Sequence, residues 1–245
     1  MRKYRIPIAA AVLVSIVVFL FAGCDTTKQG APSSPPTVEQ TYQLLQTTNV
    51  GYPPESDPSY GEFSNYFGIF IIDLFIMVAN MYLDPDAFPW QGSDGSYSFS
   101  YSYGDTSFTV TLTVVWDSGR GMWHYTLVYD GTYDTGSGIE AFNNYTLFDL
   151  YAKPDGSEGE VTFYTFDSTS DYLSVSWIKD STYITFTMTM VSGTDTYNIT
   201  LKETIPVYNE TQGEYVSESG IIKIEESGVA EPTIISWGSN PPSLS

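Results

Sequence analysis

The sequence predicts a mainly β protein: a curled antiparallel meander of about nine or ten strands, half-barrel or barrel-like, packed on one or two N-terminal helices. Aromatic residues make up 16% of the 245-residue chain, with 20 Tyr and 14 Phe; aromatic and β-branched side chains suit a pleated, half-buried surface. From Ser96 onward apolar and polar residues alternate with period two, and the runs are separated by short turns. Such turns join antiparallel neighbours, because a parallel crossover needs a dozen residues or more. Ahead of the alternating region stands one helix-length apolar segment, 63–83, which a curling sheet would wrap.

The first 24 residues, MRKYRIPIAAAVLVSIVVFLFAGC, place Arg2, Lys3 and Arg5 before an apolar run and small residues before the single cysteine. This is the layout of a secretory leader, which is removed and is not part of the fold. Read instead as a membrane span, the run sits at the short limit for crossing a hydrocarbon core of about 30 Å. The ending Phe21-Ala22-Gly23-Cys24 resembles the lipobox of bacterial lipoproteins. The resemblance implies cleavage between Gly23 and Cys24 and a diacylglycerol on the Cys24 thiol. Two acyl chains suffice for stable anchoring. The expected organisation is a cleaved signal peptide (1–23), a flexible tether (24–36), a helical segment packing on the sheet (37–90), the meander (91–237) and a frayed tail (238–245). On this reading the protein is exported and held by its lipid on the periplasmic or cell-surface face of a membrane.

Residues 25–36, DTTKQGAPSSPP, have the composition of a spacer. Thr37 with Gln40 three residues on fits a capping box and predicts a short helix over 38–46, with Val38, Tyr42 and Leu45 on one face. Pro53, Pro54 and Pro58 make 51–61 an extended loop. In the segment 63–83, about 100° of rotation per residue aligns Asn65, Asp73, Asn80 and the following Asp84 in one narrow polar stripe. A helix apolar everywhere else must be buried around most of its circumference, so a core helix is preferred to a span or a helix lying on lipid. The stripe then marks either a solvent-facing edge or the mouth of a cavity. Asp84-Pro85 stops the helix.

Strands are expected over 96–103, 108–116, 122–129, 145–152, 160–166, 172–178, 183–190, 197–203 and 221–225, with a last edge strand near Ile234, Ile235 and Trp237. Turns are expected at Gly104-Asp105, 118–121, Asp130-Gly131, Asp155-Gly156, Lys179-Asp180 and 193–195.

After cleavage, six of the nine basic residues remain, since Arg2, Lys3 and Arg5 leave with the leader. All 29 acidic residues stay, a formal charge of −23. Such a surface repels phosphate backbones, so no nucleic-acid partner is expected. The one histidine, His124, lies inside a strand, and no G-x-S-x-G elbow offers it a serine, so catalysis by a nucleophile–base pair is not expected. With one His and one Cys, no Cys/His zinc spacing exists. A glycosidase pair would need two carboxyls held roughly 5 to 9.5 Å apart, while most acidic residues here fall in turns. Calcium is the weak candidate cation: Asp155, Glu158 and Glu160 crowd one loop and Asp130 to Asp134 form a second, without the terminal Glu of an EF-hand. No other cofactor is expected.

Beyond the lipobox, the body resembles bacterial lipoproteins in which an N-terminal helix precedes a β-meander with D-G-S-x-G turns, here Asp155-Gly156-Ser157-Glu158-Gly159. That likeness implies no activity. A fold-level analogy to lipoprotein carriers implies acyl chains held under a curved sheet. The expected function is that of a non-catalytic, lipid-anchored envelope or surface protein binding a protein, glycan or hydrophobic partner. One alternative is a carrier holding a hydrophobic ligand in a Phe- and Tyr-lined cavity between sheet and helix. Another is a carbohydrate-binding module using Tyr97, Tyr101 and Tyr103.

Overall fold

The computed structural model describes residues 32–48, 50–67, 83–134, 138–165, 168–211 and 213–244. Gly23, Cys24, Asp73 and Asn80 lie outside them. No helix of the described residues is long and apolar enough to cross a membrane.

Two short helices come first. Helix α1, Val38–Thr47, opens on the capping box read from the sequence: the Thr37 hydroxyl accepts from the Gln40 backbone N–H and the Gln40 side chain accepts from the Thr37 N–H. Its buried face is Val38, Thr41 and Leu45, with Tyr42 packed partly against the core. Helix α2, Tyr60–Phe67, begins three residues ahead of the expected start and carries Asn65; the rest of the expected long helix falls outside the described residues up to Leu83.

The remainder is a meander. Strands β1 (Gln91–Ser93), β2 (Ser96–Tyr103), β3 (Thr106–Asp117), β4 (Met122–Asp134), β5 (Ile139–Ala152), β6 (Glu158–Thr165), β7 (Ser168–Lys179), β8 (Tyr183–Ser192) and β9 (Asp195–Thr204) pair in chain order. Strands β10 (Val207–Asn209) and β11 (Glu214–Val216) form a two-stranded hairpin, and β12 (Gly220–Glu226) and β13 (Thr233–Trp237) complete the eleven-stranded sheet beside β9. Glu203 faces Gly220 and Val207 faces Val216 in one unbroken register, so β9–β10 and β11–β12 are two arms of a single hairpin. The arms part around Pro206, which has no N–H to give the ladder. Tyr52 enters at the gap, pairing in parallel with Val216: its N–H donates to the Tyr215 carbonyl (2.8 Å) and its carbonyl accepts from Ser217 (2.9 Å).

The expected half-barrel or barrel is not formed. The sheet is open: its order ends at β1 on one side and β13 on the other, and these two strands do not pair. The reason lies in its two faces. One is apolar, with Leu112, Tyr125, Leu150, Phe186 and Leu201 buried, and the N-terminal segment is laid across it. Leu44 of α1 approaches Gly156, Phe63 meets Trp237 edge-on at 5.2 Å, and Phe88 stacks on Phe99 at 4.7 Å. That layer buries the apolar face without closure, and the opposite face is polar enough to stay wet. The free edges are short, three residues in β1 and five in β13 after Pro232, which limits pairing with other chains.

A second correction concerns Asp130-Gly131, expected as a turn ending a strand at Tyr129. Strand β4 runs through both residues and pairs with β5 as far as Asp134, with a register shift between Tyr129 and Gly131. Gly131 has φ +140°, and a Cβ there would meet the Ser107 carbonyl oxygen at 2.2 Å. The glycine serves a bulge rather than a reversal, so Asp130 to Asp134 are not an acidic loop.

Candidate functional site: the uncovered sheet face

Antiparallel register sets side chains of one face in rows across the strands. On the uncovered face one row runs Ser96, Thr113, Thr126, Asp149, Thr162, Ser174, Thr189 and Asn198, each paired with the next across adjacent strands. Hydroxyls link along it: Thr162 donates to Ser174 at 3.5 Å and Thr189 to Asn198 at 3.0 Å. The neighbouring row runs Val115, His124, Tyr151, Glu160, Ser176, Thr187 and Thr200. The period-two reading anticipated the alternation; the cross-strand alignment needed the register.

Charge and aromatic surface meet where the second row crosses β4 to β6. The His124 and Tyr151 rings are parallel within 3° at 4.2 Å, and the Arg120 guanidinium carbon lies 3.9 Å from the same Tyr151 centroid. Two groups that close to one ring take its opposite faces, so Tyr151 is sandwiched between imidazole and guanidinium. Arg120 reaches Glu160 at 2.8 Å, and that hydrogen bond raises the guanidinium above its ordinary range. Burial, then the Asp149 carboxylate, raises the Tyr151 phenol. Asp117 anchors the turn that presents Arg120 by accepting from the Gly119 and Arg120 N–H groups, which lowers its carboxyl.

His124 Nε2 bonds to Asp149, and the Thr126 hydroxyl lies 3.3 Å from that same nitrogen. A nucleophile–His–Asp relay places carboxylate and hydroxyl on opposite ring nitrogens. Both partners on Nε2 make this a positioned imidazole rather than a relay.

The remaining sequence candidates are dispersed. Asp155 accepts from the Ser157 N–H and hydroxyl, which lowers its carboxyl, while Glu158 pairs with Lys153 and Glu160 with Arg120. The three carboxylates expected around one cation thus serve three separate partners. Among the described residues no group of three or more His, Cys, Asp or Glu side chains stands ready to hold a metal. Tyr97 is buried at 9% exposure, whereas Tyr101 (48%) and Tyr103 (78%), further along the same face of β2, are exposed. Tyr101 stacks on Phe108 at 5.3 Å and Phe108 on Tyr129 at 4.7 Å, forming an aromatic shelf. The space beneath α1, about 250 Å³, is walled by Gln40, Gln43, Thr47, Asp155 and Lys179 as well as Leu44 and Trp177, and among the described residues no Phe or Tyr lines it.

Comparison with protein-family models, with curated proteins and with solved structures finds no match.

Proposed function

We propose that the protein is exported, anchored through a diacylglycerol on Cys24, and acts as a non-catalytic binding protein whose contact surface is the uncovered sheet face. The observation that carries this reading is the asymmetry of the sheet. One face is packed by the N-terminal layer, with Leu44, Phe63 and Phe88 among its contacts, and the other presents hydroxyl rows across eight strands around the Tyr151 sandwich. The tether supports the same arrangement: Pro35 packs against Gly95 at the β1–β2 turn, so the described end of the tether meets the sheet at one edge. A pre-ordered polar surface suits a partner that needs no rearrangement of the sheet.

Anchoring and binding have separate tests. Mass spectrometry of the mature N-terminus should show an acyl mass on the wild-type chain that Cys24→Ser lacks; an unmodified wild-type Cys24 refutes the anchor. For the face, partners co-purified from native membranes should be lost with Thr187→Arg, Tyr151→Ala or both, and retained with Val207→Arg on the β10 hairpin. Retention in the face variants refutes this surface.

A carbohydrate reading is favoured by one observation, the exposed Tyr101–Phe108 shelf, since aromatic faces stack on sugar rings. Glycan binding that survives Tyr101→Ala and Tyr103→Ala excludes it; buried Tyr97 takes no part.

A further inference from the structure

One place where the covering layer meets the sheet is the notch left where the β9–β10 and β11–β12 arms part. Val50, Gly51 and Tyr52 fill it and are buried. A Cβ on Gly51 would meet the Ser217 backbone nitrogen at 2.8 Å and Pro206 Cβ at 2.9 Å, so the backbone itself makes the tight fit. Against it stands the Glu203 carboxyl, wholly buried. This carboxyl accepts from the Gly51 N–H at 2.8 Å and from the Ser217 hydroxyl, which in turn accepts from the Trp237 indole at 3.0 Å. Trp237 meets Phe63 at 5.2 Å, and Phe63 meets Tyr52 at 5.7 Å. A single acidic group thus joins the covering layer, the β11–β12 link and the last strand.

The two sides of the notch are held unequally. Strand β9, where Glu203 faces Ile184 and Gly220, pairs over ten residues with β8 and over seven with β12. Segment 50–52 has one isolated bridge, between Tyr52 and Val216. The charged neighbours are occupied or turned away. Asp57 of the loop accepts from Ser59 and from the Gly238 N–H, while Glu62 of α2 and Glu218 of the β11–β12 link are exposed. Lys202 projects from the opposite face of β9, where it reaches the Ser243 carbonyl and lies over the Tyr183 ring of β8. Tyr52 and Tyr60 are the titratable groups that the layer adds beside Phe63.

We propose that Glu203 is a proton-operated latch: protonated, it holds segment 50–52 in the notch, and ionised, it releases that segment while the sheet stays paired. One of its oxygens has no partner among the described residues, so an ionised carboxyl there needs water. Strand β9 is fixed by a neighbour on each side, so the loop is the side that yields, uncovering Tyr52, Phe63 and Trp237. Burial pushes the latched carboxyl up to about 8, while a released one titrates near 4.5. Each pH unit between the two favours release about tenfold. The latch lies on the covered side and does not rest on the function proposed for the other face.

Hydrogen exchange of the full chain in neutral detergent, read by mass spectrometry from about pH 5 to 9, tests the latch. After correction for hydroxide catalysis of exchange, protection over 50–63 should fall about tenfold per pH unit up to about 8 and level off above it. Strands β3 and β4 should keep theirs. Glu203→Gln, neutral at every pH, should abolish the fall. Gly51→Ala crowds the notch without touching the carboxyl, and should speed exchange over 50–63 at every pH with the slope kept. Protection over 50–63 that ignores pH overturns the proposal. So does the same fall in Glu203→Gln, or a fall shared by β3 and β4, which is loosening of the whole fold. Melts at about pH 5 establish that the variants are folded; should Glu203→Gln fail to fold, wild-type exchange in Gly51→Ala is enough to overturn the latch.

Discussion

Glu203 is an acidic side chain on the apolar face of β9, wholly buried. One carboxyl oxygen accepts from the Gly51 N–H at 2.8 Å, and the Ser217 hydroxyl also bonds to the carboxyl. Ser217 in turn accepts from the Trp237 indole at 3.0 Å, while the second carboxyl oxygen has no partner among the described residues. Burial outweighs those two donors and pushes the carboxyl up to about 8. The native state therefore holds a proton that the unfolded chain releases near 4.5. Its stabilising contribution is complete below that value and declines as pH rises through about 8, with a slope approaching 1.4 kcal/mol per pH unit, roughly, between the two. Melts from pH 4 to 9 should show this decline, and Glu203→Gln, which keeps an acceptor for Gly51, should flatten it. A second residue-scale device occurs twice. Gly159 lies opposite Trp177, and Gly220 opposite Trp237, with each indole resting where a Cβ would be, at 2.3 Å and 2.2 Å. Gly159→Ala or Gly220→Ala should cost about 1–3 kcal/mol in denaturant unfolding through overpacking.

Elements set by neighbouring residues were legible in the sequence, and elements set by distant ones were not. The Thr37–Gln40 box is local, so the start of α1 was readable; Thr37→Ala should destabilise the chain by about 1 kcal/mol, measured by chemical denaturation. Strand β8 begins at Tyr183 and β2 spans 96–103 as the alternation indicated. Asp130-Gly131 shows where local chemistry stops being decisive. The dipeptide announces a backbone that only glycine accepts easily, and both a hairpin turn and a bulge satisfy that description. Whether the chain reverses there depends on β5 offering partners as far as Ile139, which lies beyond any local window. Gly131→Val separates the two roles. In an exposed turn it would cost only the strain of a positive φ, as Gly104→Val does at φ +60° with open space around it; against the Ser107 carbonyl it should cost more than Gly104→Val, read from midpoint shifts. The site was half visible for the same reason: His124 was singled out within a strand, but Tyr151, Arg120 and Asp149 become its neighbours only through β4–β5 pairing.

At the scale of the whole molecule, alternation tells which side of a strand is buried and says nothing about what buries it. A meander with one apolar face can roll up on itself or lie under a separate layer, and both give the same period. Here Tyr52, Phe63, Phe88 and Trp90 supply the layer, so the apolar face is sealed while the sheet keeps two edges. Openness has a direct measurement. Ser98 in β2 and Ile234 in β13 both lie on the uncovered face and are separated by nine strand-to-strand steps. At about 4.8 Å per step the path along the sheet is roughly 43 Å, shortened somewhat by twist. In a closed barrel of the same strands those positions would lie within one or two strand spacings, about 10 Å. Spin labels at Ser98→Cys and Ile234→Cys, in a Cys24→Ser background, should give a dipolar distance beyond about 30 Å, and a short one would mean the edges meet. The same distance should persist after Glu203→Gln, because that carboxyl ties the covering layer to the sheet and makes no link between its edges.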